Sequence, residues 1–127
     1  MSCQGQVSGS SPLANGLVIT GGAPKLVLLR AVGPTLGTFG IPGVLGAPIL
    51  QVYNATGSVI ASNAGWTSAA NASDIAWSAT RCGAFALNAN SADSAVLMML
   101  NPGSYTLQVT GQNGSAGTAM VEAYEVP

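Results

Sequence analysis

The run Lys25–Gly43, KLVLLRAVGPTLGTFGIPG, decides how this chain is read. Its first half, Leu26 to Leu29 followed by Arg30, Ala31 and Val32, is apolar without alternation, so a strand built from it must be covered on both faces. Its second half cannot extend a ladder, because Gly33, Pro34, Gly37, Gly40, Pro42 and Gly43 punctuate it as a long, turning connection. Arg30 stands inside the apolar part, where an unpaired charge would be costly. It requires a partner, and Glu122 or the carbonyls of the Gly33 to Gly40 connection are the candidates for a structural clamp. The glycines lack the spacing of either phosphate-binding fingerprint and no Lys-Ser/Thr follows them, so they read as architectural.

Outward from this run the pattern is one of short strands. Leu17 to Thr20 and the turn cluster Gly21 to Pro24 feed the central strand as a hairpin. Ile49 to Asn54 and Ser58 to Asn63 flank a three-residue loop whose Gly57 suits a left-handed position. Ala95 to Leu100 is a second buried candidate, closed by Asn101-Pro102-Gly103-Ser104 and returning through Tyr105 to Thr110. Thr118 to Val126 alternates as a half-exposed final strand. Between them, Asn71 or Ser73 caps a short helix that ends at Gly83, with Asp74 in its first turn, and Phe85 and Leu87 suggest a further strand. Residues 1–16, rich in Ser, Gly and Gln, read as a flexible arm anchored by Val7 and Leu13, and residues 17–127 as one domain. About seven to nine strands with at most one short helix predict an all-β, antiparallel β-sandwich, either jelly-roll or immunoglobulin-like.

Charge is the outlying property. Lys25, Arg30 and Arg81 stand against Asp74, Asp93, Glu122 and Glu125, a net charge of −1, and charged residues are 6% of the 127 where about a quarter is usual. No basic patch exists to displace counterions from a nucleic acid, and no apolar run reaches the ~20 residues of a spanning helix. Hydrophobic residues at 48% exclude disorder from low hydrophobicity. A surface carried by Ser, Thr, Asn and Gln offers little repulsion between copies, which suits a protein that packs against itself.

The blocks RAVGPTLGTFGIPG (30–43), LQVYNATGSVIASNAGW (50–66), CGAFAL (82–87) and LNPGSYTLQVTGQNGSAGTAMVEAYEVP (100–127) occur in the order seen in a small module near the C-termini of large secreted bacterial proteins. The chain resembles that module across Leu17 to Pro127. The resemblance implies a β-sandwich accessory domain, similar to pre-peptidase C-terminal and immunoglobulin-like modules, located outside the cell or at its surface and without catalysis. It supplies no site residues.

The chemistry-bearing residues are few. The absence of histidine excludes Ser-His-Asp and Cys-His arrangements and histidine metal sites. Asp74 and Asp93 read as a cap residue and a turn residue, and no clustered acidic loop indicates calcium; no cofactor is expected. Cys3 and Cys82 permit one intramolecular bridge, worth about 4 kcal/mol in the loop-entropy model; two buried thiols, or a bridge from Cys3 to a neighbouring copy, are the alternatives. Trp66 and Trp77 are candidates for an exposed glycan-stacking platform, set against core packing. The expected function is that of a non-catalytic extracellular structural protein, a self-assembling subunit of a filament or surface layer joined through the arm (Val7, Leu13) or through edge strands. The alternative is a carbohydrate- or cell-surface-binding module. The partners expected are copies of the chain, with glycan on the alternative reading, and neither nucleic acid nor membrane insertion.

Overall fold

A computed structural model describes residues 1–127. The Lys25–Val32 run forms a strand, β3, that is buried from Val27 onward. Its two faces meet different partners. Val27, Leu29 and Ala31 enter the main core, while Leu28 joins a second cluster with Ile75, Ala79 and Ala95. This double covering is what the unalternating apolar sequence demands.

The remaining strands are β1 (Ser2–Val7), β2 (Leu13–Ile19), β4 (Pro48–Tyr53), β5 (Val59–Asn63), β6 (Ser94–Leu100), β7 (Gly103–Gly111) and β8 (Gly117–Glu125). They form two antiparallel four-stranded sheets, ordered β1-β8-β3-β6 and β2-β7-β4-β5. The pairs β1/β8, β2/β7, β3/β6 and β4/β5 nest around the β4–β5 turn and alternate between the sheets. That nesting is a jelly roll: one long folded-back ribbon wound into a sandwich. Leu50, Val52, Leu107 and Val109 of one sheet face Val27, Leu29, Val121 and Leu100 of the other. A third layer covers the outer face of the first sheet, made of the helix α1 (Ala72–Cys82) and residues 83–93. Asp74 lies in its first turn, Arg81 in its last, and Gly83 closes it at φ 72°.

Three expectations are corrected. Residues 1–16 are not a free arm, because Ser2 to Val7 pair in register with Gly117 to Glu122 and Leu13 begins β2. Low apolar content obscures this strand, but a ladder needs only the backbone and a few inward side chains. Val7 is 1% exposed in the main core and Leu13 packs on it. Val7→Ala, which deletes two buried methyls, is expected to cost about 2 kcal/mol in urea denaturation. Phe85 and Leu87 form no strand; their segment is a strap across the outer face, fixed by its hydrogen bonds to β3 and to the turn after it. The bridge between Cys3 and Cys82 is absent and both thiols are free. Cys3 lies on the core side of the first sheet, Cys82 on the helix side with its thiol against the Glu125 carbonyl, so the sheet separates them.

The glycine-rich connection turns back into the core. Pro34–Phe39 makes a 3₁₀ turn, and Leu45 then inserts fully buried into the main cluster. Gly33 permits that insertion, because a Cβ there would lie 2.1 Å from the Leu45 carbonyl oxygen. Gly33→Ala is expected to destabilise by about 1–3 kcal/mol through displaced backbone, read as a lower thermal midpoint.

Candidate functional site

The most elaborate polar arrangement lies beneath the third layer, where β3 ends and its connection begins. Arg30 and Glu122 are cross-strand neighbours on β3 and β8, both on the outer face, at 0% and 3% exposure. Arg30 Nε and Nη2 donate to Glu122 Oε1 at 2.8 and 2.6 Å, and Nη1 donates to the Phe85 carbonyl at 2.7 Å. The guanidinium lies 4.5 Å from the Phe85 ring centroid and 5.9 Å from that of Tyr124. Tyr124 completes the group by donating to Glu122 Oε2 at 2.6 Å. Of the two candidate partners of Arg30, Glu122 and the carbonyls of the Gly33 to Gly40 connection, the structure selects Glu122, joined by the Phe85 carbonyl of the strap.

Burial, the hydrogen bond to Glu122 and that carboxylate's charge push the Tyr124 hydroxyl up from 10.0 to about 12. A hydroxyl held protonated by the fold contributes stability that is complete below pH 10 and is lost as pH rises through 12. Tyr124→Phe is therefore expected to shallow the alkaline fall in thermal midpoint between pH 10 and 12.

A second buried carboxylate, Asp93, is fully enclosed immediately before β6. It accepts from the backbone N–H of Gly33 at 2.7 Å and of Thr35 at 3.2 Å, and from the hydroxyls of Thr35 and Ser91. Asn88 N–H in turn donates to Thr35 Oγ1 at 3.0 Å. Asp93 thus ties the first turn of the glycine-rich connection to the strap. The sequence reading placed Asp93 in a turn and missed this work; the available signal was a Gly-Pro-Thr turn whose buried amides need an acceptor.

The other candidates do not converge. Trp66 donates its indole N–H to Ser91 Oγ at 3.3 Å and lines a small apolar pocket of about 70 Å³ with Arg30, Ile75 and Leu87. Trp77 is 57% exposed on α1, with the Arg81 guanidinium 4.8 Å above its ring. One indole is engaged in packing and the other carries its own cation, so the pair presents no common platform. Asp74 is exposed on α1, while Asp93 has its oxygens saturated, so they form no acid/base pair. Burial pushes the Cys82 thiol up, against a smaller opposing pull from Arg30 and Arg81, which makes it a poor nucleophile. No group of three or more Cys, Asp or Glu side chains is placed to hold a metal ion, and no helix is long and apolar enough to cross a membrane.

Fold and buried joint together define a jelly-roll β-sandwich whose buried charged residues, Arg30, Asp93 and Glu122, tie its layers together. Among solved structures, the chain is similar to the pre-peptidase C-terminal domain of a collagenase from Bacillus anthracis, with a TM-score of 0.56 over 97% of this chain and 87% of that one, at 12% identity. The fold is therefore that of a pre-peptidase C-terminal-like β-sandwich. No protein-family model matches the chain, and no curated protein matches it in sequence.

Proposed function

We propose that this is a non-catalytic, extracellular structural domain that associates with copies of itself through open strands of its sandwich. One observation carries the reading. The four edge strands, SCQGQV, LANGLVI, VIASN and SAVLMML, contain neither a charged residue nor a proline. Edges are ordinarily blocked by such residues, because unpaired N–H and C=O groups template pairing with another chain.

Strand β6 has a block of another kind: Asn63 Oδ1 accepts from Ala95 N–H at 3.0 Å and Asn71 Nδ2 donates to the Leu97 carbonyl at 3.4 Å. Strands β2 and β5 are the opposite edges of one sheet, and each carries exposed apolar side chains, Val18 at 65% and Val59 at 50%. Pairing β5 of one copy with β2 of the next is head-to-tail, and a head-to-tail contact builds a filament wherever its rotation does not close into a ring. Little charge opposes it. Arg30, Asp93 and Glu122 are buried, and Lys25 and Glu125 neutralise each other at 3.5 Å. The extracellular assignment draws support from the likeness in fold to a domain of a collagenase.

Sedimentation velocity across a hundredfold concentration range tests the proposal. The expected result is a sedimentation coefficient that rises with concentration, and Ile60→Lys or Val18→Lys variants that sediment as monomers throughout. A wild-type chain that remains monomeric at the highest concentration overturns it.

A further inference from the structure

We infer that the open face of the second sheet holds a binding cleft for a neutral polysaccharide, built around Tyr53. The inference does not rest on self-association, since the cleft lies on a face of the sheet and not at its edge. The outer face of β2-β7-β4-β5 has no helix over it, and none of its four strands carries a charged side chain. Near the β4–β5 turn this face opens into a shallow cleft of about 440 Å³, lined by Tyr53, Asn54, Ser104, Tyr105, Thr106 and Gln108 among others.

Register explains how the cleft is assembled. Tyr53 and Gln51 alternate with the core residues Leu50 and Val52, so both point outward, and they stand directly across from Thr106 and Gln108. Tyr53 donates its hydroxyl to Gln51 Oε1 at 3.1 Å, which leans the ring back along its own strand instead of standing it off the sheet. The rim beside it is rigid. Asn54 Oδ1 accepts from the N–H groups of Thr56 and Ser58 at 3.1 and 3.0 Å, and Gly57 takes φ 83° in the turn.

The chemistry of these walls selects the ligand class. An anion would require Arg or Lys, which the cleft lacks, and a wholly apolar ligand would leave the polar groups of Asn54, Thr106 and Gln108 without partners. A sugar ring has apolar C–H faces that pack on an aromatic ring and hydroxyls that both donate and accept, matching the amides and hydroxyls of Asn54, Thr106 and Gln108. A shallow, open cleft fits part of a polymer better than a small molecule, which needs most of its surface enclosed.

Affinity electrophoresis in gels containing soluble neutral polysaccharides (laminarin, xyloglucan, galactomannan, dextran), with polygalacturonate and heparin as charged comparisons, reads this directly. At least one neutral polymer is expected to retard the protein. Tyr53→Ala should weaken that retardation tenfold or more with its near-ultraviolet circular dichroism retained, while Trp77→Ala and Val18→Lys leave it unchanged. Gln108→Ala, a surface change with little bearing on folding, should weaken it severalfold. Retardation by none of the neutral polymers, by the charged ones alone, or equally with and without Tyr53 overturns the assignment.

Discussion

Arg30→Met is expected to lower the unfolding free energy by about 3–5 kcal/mol, because it leaves Glu122 charged, buried and without its partner. The attraction within the pair is not what sets this figure. Removing both charges from water is itself costly, and hydrophobic replacements of such pairs are often neutral. The double variant Arg30→Met with Glu122→Leu should therefore recover most of the loss, whereas Glu122→Leu alone strands the guanidinium and costs a comparable amount. Equilibrium denaturation in guanidinium chloride reads all three. Additive losses in the double variant would mean that the two residues contribute separately and that the clamp is not a unit. Some loss remains even in the repaired protein, since the Phe85 carbonyl forfeits its donor and the strap its anchor.

Asp93→Ala is expected to cost about 3 kcal/mol, from two buried N–H groups, those of Gly33 and Thr35, left without acceptors together with two orphaned hydroxyls. The consequence should reach beyond stability. The first turn after β3 and the strap meet through this carboxylate, so hydrogen exchange of the Gly33, Thr35 and Asn88 amides should accelerate while β7 stays protected. Asp93→Asn keeps one acceptor oxygen and should lie between the two. A loss below about 1 kcal/mol in the alanine variant, with exchange unchanged, would show that the turn holds its shape unaided.

These two buried groups show what a sequence discloses and what it withholds. Arg30 was legible because a charge in an apolar strand must be paired, and four acidic residues left few candidates. Asp93 was not, since its partners lie 58 and 60 positions earlier and nothing local marks a carboxylate as an acceptor for distant amides. The double-sided burial of β3 could be read from its lack of alternation, and the helix from its left-handed stop at Gly83. Strand β1 was hidden because its order comes from pairing with β8, a long-range ladder that composition does not encode. The same topology kept Cys3 and Cys82 apart: strand alternation places Cys3 inward, while α1 docks on the opposite face. The two tryptophans marked by residue type as a platform part for a related reason: Trp66 is drawn into the second core cluster while Trp77 stands exposed on α1, and the outward aromatic beside neutral hydrogen-bonding partners is Tyr53, set there by the two-residue period of β4.

Hydrogen–deuterium exchange of the full chain at low and at high protein concentration tests most directly whether open, uncharged edges are what the molecule uses. The account predicts protection that grows with concentration in residues 13–19 and 59–63 and does not change in residues 94–100, where Asn63 and Asn71 already occupy backbone groups. Protection that is independent of concentration, or that appears on α1 and not on the edges, would contradict it.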